Sequence, residues 1–370
     1  MQRIAFTPRP HWREQCEALG FTFHSIDGVY WDESAAYQLT LAQVETLEAA
    51  SEDLHQRYLA AVAWVIEGEH FAHFDLPAHA IALIKESWQR QEPALYGRFD
   101  FSWNGEGQPK LLEYNADTPT SLLEASVVQW YWLQDVLPEA DQFNSIHEKL
   151  IARWKEIAEG QRVHFAAIDG HEEDTGNARY MQDVAQQAGV DTRYLPVEAI
   201  GFDGQRFVDL DDQPIERCFK LYPWEWLLQD EFSAHLGQSG LRFQEPAWKM
   251  LMSSKAMLPI LWQLNPDHPN LLAASFEEDL PGRYVRKPLY SREGQNIRIV
   301  AGEQSQESDG PHADGRFIYQ AFAPLAKFAD SYTVLGSWMV GEQAAGLGIR
   351  EDASAITRDS SRFLPHYFID

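Results

Sequence analysis

The sequence, 370 residues long, predicts a mixed α/β (α+β) fold. Three observations support this class: two strand-like runs form a hairpin within residues 98–115, a β-α-β pattern spans residues 163–197, and further strand-like runs occupy residues 284–300. Segments with helical periodicity separate them. Strands that alternate with helices and also form hairpins are typical of mixed α/β proteins.

The composition is that of a globular chain with an acidic surface. Hydrophobic residues make up 45% of the sequence and aromatic residues 13%, which is sufficient for about two to three domains' worth of core. The formal net charge of −26 argues against nucleic-acid backbones as partners, because binding them needs clustered Lys and Arg. It favours cationic small molecules such as polyamines, while acidity that only serves solubility is an equal alternative.

The cysteine content and the N-terminus predict a cytoplasmic protein. Cys16 and Cys218 are the only cysteines in the sequence, so neither a disulfide framework nor a Cys-ligated zinc site is expected. The first residues lack the apolar core of a signal sequence, and no run reaches the roughly eighteen apolar residues of a membrane span. We therefore expect a reducing, cytoplasmic setting and no membrane partner.

The first elements with clear periodicity are helices. From Thr40, apolar residues recur at three- and four-residue spacings as far as about residue 68, and Thr40 with Gln43 resembles a capping box. A shorter helix is expected at residues 78–90, and another at 145–158 after the hairpin.

The hairpin brings polar side chains onto one face. RFDFSW and PKLLEYN are strand-like runs separated by a loop rich in Gly and Asn. Because alternate residues of a strand share a face, Arg98 and Asp100 project together, as do Glu113 and Asn115. Neighbouring carboxylates repel each other, and Mg²⁺, which binds one or two carboxylates with phosphate and water oxygens, would remove that repulsion. The alternative is that Asp100 and Glu113 are separate, solvated strand residues.

The segment after the hairpin predicts an anion site. Thr118 is placed as a helix N-cap and Pro119 as the first helical residue, ahead of the apolar run LLEASVVQWYWL. Free backbone amides and hydroxyls at a helix start bind anions. A cation site that leads directly into an anion site suits a reaction between Mg-nucleotide and a phosphorylated or carboxylated substrate.

The β-α-β unit ends in an acidic loop. Residues 163–169 are expected to form a buried strand, followed by a helix through Ala188 and a second strand at 192–197. In such open α/β units, ligands bind beyond the carboxyl ends of the strands. The loop there includes Glu173. It either holds an ammonium group of a cationic substrate or is an acidic first turn that favours the helix dipole.

Basic residues recur in the C-terminal third. Residues 245–264 predict an amphipathic helix that carries Lys249 and Lys255, which could equally be surface lysines. A strand with Lys287 then leads to a polar loop that contains Gly294. A lysine on a strand beside a flexible loop can clamp a nucleotide triphosphate without a Walker A helix, although one glycine is a weak signal by itself.

Six segments together resemble the synthetase domain of the glutathionylspermidine and trypanothione synthetase family: RFDF, LLEYNADTPTS, SSKAMLPILW, VRKPLYSREGQN, IYQAF and GLGIRED. The resemblance runs from about residue 10 to the C-terminus and is closest to stand-alone bacterial members without the amidase domain. It implies an ATP-grasp fold with a preceding open α/β (pre-ATP-grasp) domain. The implied regions are a helical and hairpin region at 1–160, a substrate region at 161–245 and a nucleotide-binding region at 246–370.

The resemblance also implies ATP and two magnesium ions as cofactors, and a role for individual residues. The implied magnesium ligands are Asp100, Glu113 and Asn115. The implied catalytic cations are Arg98, which faces the transferring phosphoryl group, and Arg350. The implied nucleotide-binding residues are Arg98, Lys255, Lys287, Glu293, Gly294, Gln320, Ala321, Phe322 and Ala323, with Lys249 and Lys255 able to exchange roles. The implied substrate-binding residues are Thr118, Thr120 and Glu173.

These features predict an ATP-dependent carboxylate–amine ligase that forms an amide through an acyl phosphate. The resemblance, together with the acidic composition, implies glutathione or another γ-glutamyl peptide as the acid and a polyamine as the amine. FKLYPWE stands where complete synthetases of the family carry WKTWAWE, so Leu221 replaces a substrate-contacting threonine with a side chain that cannot form hydrogen bonds. Two alternatives remain: a phosphotransferase on the same fold, and a non-catalytic ATP-binding member in which Leu221 has disabled turnover.

Overall fold

The computed structural model describes residues 1–25, 28–292, 294–301, 304–310, 315–357 and 361–369. The strands in these ranges are β1 (Gln2–Ala5), β2 (Ala35–Thr40), β3 (Tyr96–Ser102), β4 (Lys110–Asn115), β5 (Val163–Ala167), β6 (Thr192–Pro196), β7 (Gly201–Phe202), β8 (Phe207–Val208), β9 (Arg217–Leu221), β10 (Arg242–Gln244), β11 (Ala274–Ser275), β12 (Tyr284–Pro288), β13 (Arg298–Ala301), β14 (Gln304–Glu307), β15 (Phe317–Ala321), β16 (Ala326–Phe328), β17 (Ser331–Val340), β18 (Gln343–Asp352), β19 (Arg362–Leu364) and β20 (His366–Ile369). The helices are α1 (Trp12–Ala18), α2 (Leu41–Glu67), α3 (Ala78–Gln89), α4 (Gln129–Val136), α5 (Ile146–Ile157), α6 (Glu172–Gln187), α7 (Trp224–Leu227), α8 (Leu236–Ser239), α9 (Lys249–Ser253) and α10 (Met257–Leu264).

The predicted hairpin, β3 and β4, lies at one side of an antiparallel sheet in the order β19-β18-β17-β3-β4. Its register pairs Asp100 with Glu113 and Arg98 with Asn115, which confirms the predicted polar face. Phe99 and Tyr114 take the opposite face, where their rings stack with centroids 3.8 Å apart. Residues of the first and last predicted regions share this sheet, so the three-region division stays a prediction.

Two further sheets complete the surroundings of the site. An antiparallel sheet in the order β11-β15-β12-β13-β14 carries Lys287 on β12, opposite Ile318 of β15. The predicted open α/β unit is a parallel sheet in the order β10-β9-β5-β6, with α6 packed against it. Every residue of the two inner strands, β5 and β9, is buried, as is typical of a parallel sheet that is covered on both faces.

The longest helix, α2, packs behind the hairpin. Thr40 accepts a hydrogen bond from the Gln43 amide, and the Gln43 side chain accepts one from the Thr40 amide, so the predicted capping box is present. Its buried face includes Leu47, Leu54 and Tyr58, and the Tyr58 ring contacts those of Phe99 and Tyr114. In the described part of the chain, none of the helices has the length and apolarity that a membrane span requires.

The helix after the hairpin starts later than predicted. Helical backbone begins at Leu122, not at Pro119. The Leu122 amide donates to Oδ1 of Asn177 on α6, at 3.1 Å, so the acceptor at the helix start comes from another element and Thr118 is not the N-cap. Ser121, immediately before the helix, has a φ of +66°. The predicted N-cap and first helical residue therefore lie in a loop.

The single helix predicted for residues 245–264 is two helices, α9 and α10. Ser254 between them has extended backbone, with φ −72° and ψ 132°. Pro259 explains the break, because in a continuous helix its ring would clash with the carbonyl of residue 255. The break allows the Lys255 amide to donate to the Leu289 carbonyl at 3.1 Å, and this places Lys255 beside β12.

Candidate active site

Two carboxylates and four cations meet on the polar face of the hairpin. Asp100 accepts hydrogen bonds from Arg98 Nε at 2.8 Å and from Arg350 Nη2 at 2.8 Å. Glu113 Oε2 lies 3.2 Å from Lys255 Nζ. Lys287 Nζ donates to the Leu112 carbonyl at 2.8 Å, one residue from Glu113. The structure thus brings together residues that lie up to 252 positions apart in the sequence (350 − 98).

The charges of this cluster offset one another. Burial by itself would raise the pKa of Glu113, but the charges of Lys255 and Lys287 lower it to about 2. Burial lowers the pKa of Lys287 to about 8, although Glu113 acts in the opposite direction. From the sequence we expected Mg²⁺ to remove the repulsion between the two carboxylates. In the structure protein cations already offset that repulsion, and the metal site stays a prediction.

The donor set nevertheless suits magnesium. Asp100, Glu113 and Asn115 present two carboxylates and a carboxamide on one face of the hairpin, and Asn115 Nδ2 lies 3.3 Å from Asp100 Oδ2. Mg²⁺ binds through one or two carboxylates and completes its shell with water and phosphate oxygens. Among the described residues, no group of three or more His, Cys, Asp or Glu side chains is arranged to hold a metal ion.

A cleft of about 800 Å³, including its open mouth, lies between the hairpin sheet and the sheet of β12. Asp100, Glu113, Lys255 and Lys287 form its charged end. Its other walls are mainly apolar and include Leu112, Val285, Ile297, Ile299, Leu325, Val334 and Ile356. The cleft also contains the predicted nucleotide-binding residues Gly294, Gln320, Ala321, Phe322 and Ala323.

The structure distinguishes the two lysines that the sequence left interchangeable. Lys255 lines the cleft and donates to the Ser291 carbonyl at 2.8 Å. Lys249 is buried elsewhere, with its Nζ 3.0 Å from Glu245 Oε2, so it is not a cleft residue. Glu293, also predicted to bind nucleotide, lies outside the described residues.

The loop between β4 and Leu122 is held from three sides. Arg98 Nη1 donates to the Thr120 carbonyl at 2.7 Å. Asp117 accepts from Lys220 Nζ at 2.7 Å and from the Trp224 amide at 2.8 Å. Arg292 donates to Thr118 Oγ1 at 2.8 Å and to Glu225 Oε1 at 2.9 Å. The predicted substrate residues Thr118 and Thr120 therefore lie next to the charged end of the cleft.

Glu173 belongs to a second acidic group beside this loop. It lies in the first turn of α6, and its charge helps to raise the pKa of Glu124. Glu124 is fully buried in a π-helical turn, Glu124–Val128, and Tyr30 donates to its Oε1 at 2.7 Å. Tyr30 also contacts Ser121 Oγ at 3.0 Å. The structure thus places Glu173 near the loop of Thr118 and Thr120.

Comparison with known proteins agrees with this arrangement. The family described as glutathionylspermidine synthase preATP-grasp matches residues 3–369. The chain belongs to the glutathionylspermidine synthase family. The predicted family is confirmed, and so is the fold class. A glutathione synthetase-like effector from Globodera pallida shares the fold, with a TM-score of 0.55 at 13% identity over 90% of this chain and 89% of that one.

Two curated relatives are informative. A putative acid–amine ligase of Haemophilus influenzae is 42% identical over the full length of both chains. The trypanothione synthetase of Crithidia fasciculata is 32% identical over 84% of this chain. The chain spans 53% of that enzyme's length. The predicted enzyme class, an acid–amine ligase, agrees with these names.

Arg292 and Glu124 are two further candidate site residues, which the sequence analysis did not identify. Arg292 is a loop residue whose partners, Thr118 and Glu225, lie 174 and 67 positions away, so no local pattern identifies it. Glu124 did leave a signal, because it is a single acidic residue within the apolar run that begins at Leu122. A carboxyl group in such a run is either exposed or functionally unusual.

Replacing Glu124 with glutamine is expected to flatten the pH dependence of stability. Burial, assisted by the charge of Glu173, raises the pKa of Glu124 from 4.5 to about 8. The folded protein therefore keeps a proton that the unfolded chain releases. The stability that this carboxyl contributes is fully present below about pH 4.5 and is lost as the pH rises through about 8.

Denaturant unfolding at several pH values between about 5 and 8 measures this effect. The free energy of unfolding of the wild type should fall more steeply with pH than that of Glu124→Gln. The control is Glu45→Gln, which changes an exposed carboxylate on α2 and should follow the wild type. Equal slopes in Glu124→Gln and the wild type would refute the raised pKa.

Proposed function

We propose that this protein is an ATP- and Mg²⁺-dependent carboxylate–amine ligase. ATP bound with Mg²⁺ supplies the phosphoryl group that turns a substrate carboxylate into an acyl phosphate. The nitrogen of an amine then attacks the acyl carbon, the amine loses a proton, and phosphate leaves as the amide forms. The observation that carries the proposal is the pair of facing carboxylates, Asp100 and Glu113, which line one end of the cleft together with Lys255 and Lys287. Arg98 and Arg350 pair with Asp100 beside this end of the cleft.

The charged end of the cleft is suited to phosphoryl transfer, which depends mainly on positioning and charge neutralisation. Asp100, Glu113 and Asn115 would hold the metal. Arg98 and Arg350 now neutralise Asp100, and their guanidinium groups become available to phosphoryl oxygens once Asp100 binds a cation instead. Cations aimed at the charge that develops in the transition state are the form of catalysis expected here.

The rest of the cleft suits a nucleotide. Lys255 and Lys287 would contact the phosphates, and the apolar walls would contact the base. Within residues 320–323, which the family resemblance assigns to nucleotide binding, the Ala321 amide donates to the Ala273 carbonyl and the Phe322 amide to the Arg283 carbonyl. Among the hydrogen bonds of the described residues, none uses the Ala323 amide, so this amide is the proposed donor to the adenine edge.

The substrates are proposed from the relatives and from the charges near the loop. A glutathione-like or γ-glutamyl acid would bind with its carboxylate near Thr118 and Thr120, within reach of Arg292. A polyamine-like amine would bind near Glu124 and Glu173, because an ammonium group would offset the burial and the charge of Glu173, which together raise the pKa of Glu124. The acidic net charge of −26 would steer such an amine towards the protein.

An assay of ADP release tests the function. Purified protein is incubated with Mg-ATP and γ-glutamyl peptides crossed with polyamines and amino acids, and the products are analysed by mass. An amide adduct that forms with equimolar ADP supports the ligase. A product that has gained one phosphoryl group identifies a phosphotransferase instead, and stabilisation by ATP without ADP from any substrate pair identifies a non-catalytic binding protein.

Replacing Arg292 with glutamine is expected to raise the KM for the acid substrate about tenfold or more, while the KM for ATP changes little. Arg292 joins the loop after β12 to Thr118 and Glu225, and charge-assisted hydrogen bonds contribute about 1.5–3 kcal/mol each. Steady-state kinetics with each substrate varied in turn measure the KM for the acid and the KM for ATP separately. Arg298→Gln is the matched control because Arg298 is paired with Glu307 on β14. Equal KM increases for the acid and for ATP would contradict this role.

A further inference from the structure

A second cavity lies beyond the carboxyl ends of the parallel strands. It measures about 1250 Å³ including its open mouth and shares no lining residue with the cleft described above. Ile168 follows β5, Val197 follows β6 and Tyr222 follows β9, and all three line it. Ligands of open α/β sheets bind at this edge, so the position is one where a ligand site is expected.

The cavity has an apolar interior and aromatic side chains that remain exposed. Phe207, Leu236 and Phe243 are buried in its wall. Trp226 and Phe232 also line it, with 40% and 39% of their surface exposed. Large apolar side chains that remain exposed around a concave surface are characteristic of ligand sites. The body of a fitting ligand is therefore apolar.

The charges that line the cavity are acidic on balance. Glu198, Asp230 and Glu231 contribute carboxylates, and the Tyr222 hydroxyl donates to Asp230 Oδ1 at 3.2 Å. The basic residue among the described lining residues, Lys220, is already neutralised by Asp117, outside the cavity, at 2.7 Å. A cation is therefore favoured at this site over an anion.

We propose that this cavity binds an organic amine with a large apolar body, such as an arylalkylamine. The apolar walls supply affinity in proportion to the buried area, and the carboxylates select the ammonium group. The site shares no lining residue with the proposed ATP cleft. It borders the loop of Thr118 and Thr120, because Lys220 binds Asp117 and the Trp226 ring lies 5.4 Å from the Arg292 guanidinium group. Amine binding here does not require that the protein forms amides.

Calorimetric titration with four probes of related shape tests the proposal. The probes are 2-phenylethylamine, 3-phenylpropan-1-ol, 3-phenylpropionate and ethylamine. We expect 2-phenylethylamine to bind saturably and about tenfold or more tighter than each of the others, because only it combines the apolar body with the positive charge. Its affinity should fall as salt is added.

Substitutions of lining residues test whether 2-phenylethylamine binds in this cavity. Asp230→Asn and Glu231→Gln should each weaken 2-phenylethylamine about two- to fivefold, the range for partly exposed charge pairs. Ser233→Trp, which fills the cavity without removing a charge, should abolish binding. Glu45→Gln on α2 is the matched control and should leave the affinity unchanged.

Three results would overturn the proposal: no saturable binding of 2-phenylethylamine, equal binding of the alcohol or the acid, or displacement of the amine by a non-hydrolysable ATP analogue. This test can fail or succeed independently of the test of the proposed ligase function. Amine binding in a protein that never releases ADP would uphold this site and refute the ligase, whereas amide formation without binding of the probe would do the reverse.

Discussion

Replacing Asp100 with asparagine is expected to lower kcat for ADP formation by about 10²- to 10³-fold, the usual cost of removing one preorganised electrostatic group. Asp100 is the residue on which the cluster converges, because it binds Arg98 and Arg350 and faces Glu113 across the hairpin. The substitution keeps the shape of the side chain but removes the charge that would hold Mg²⁺. ATP-induced thermal stabilisation of Asp100→Asn should also become insensitive to added Mg²⁺.

The same substitution has a structural cost that must be separated from catalysis. Removing one partner of a buried ion pair costs about 3–5 kcal/mol, because the other charge stays buried. Glu33→Gln is a suitable control, since Glu33 is fully buried and pairs with Arg9 at 2.6 Å, outside the lining of the cleft. It should lower stability similarly and leave the specific activity of the folded protein unchanged. Equal activity losses in the two variants would show that Asp100 acts through folding alone.

The hairpin could be predicted because its signals are local. Strand alternation alone placed Asp100 and Glu113 on one face, and the structure pairs them directly. The capping box at Thr40 and Gln43 is also a four-residue pattern, and it is present as expected. In both cases the residues that decide the geometry are close in sequence, and the local preference agrees with the tertiary structure.

The errors arise where a tertiary contact takes the place of a local one. Thr118 and Pro119 form a good helix start in isolation, yet Asn177 from α6 accepts the Leu122 amide, and Thr118 accepts a hydrogen bond from Arg292. The break between α9 and α10 is different, because Pro259 is visible in the sequence and predicts it. The apolar periodicity on both sides of Pro259 nevertheless favoured the prediction of one continuous helix.

The balance of charge in the cluster was also hidden from the sequence. The carboxylates Asp100 and Glu113 are close neighbours in one hairpin, whereas Lys255, Lys287 and Arg350 come from other parts of the chain. A local sequence pattern therefore indicates the repulsion between the two carboxylates but not the distant cations that offset it. For the proposed metal site, the consequence is that Mg²⁺ would have to displace existing ion pairs. The affinity for Mg²⁺ alone should therefore be low and should rise with nucleotide, which would bring phosphate partners for the released cations.

The affinity for ATP is expected to fall as the pH rises above about 8. Burial lowers the pKa of Lys287 to about 8 in the free protein, and a triphosphate binds the charged form. Below this pH the ammonium group is already present. Above it, each bound ATP requires the uptake of a proton, so the Kd should rise by up to about tenfold per pH unit. Lys287→Arg should bind with little pH dependence, because a guanidinium group stays charged over this range.

Calorimetry of ATP binding between about pH 7.5 and 9.5, in buffers that differ in ionisation enthalpy, counts the protons taken up. Lys287→Met should bind weakly throughout this range and take up no proton. Lys85→Met is the control, since Lys85 forms an ion pair with Glu69 outside the cleft, and its pH profile should match that of the wild type. A wild-type Kd that stays constant across this range would mean that Lys287 is fully charged without nucleotide. In that case Glu113 would stabilise the ammonium group more than burial destabilises it, and the charged end of the cleft would be a preformed ion pair.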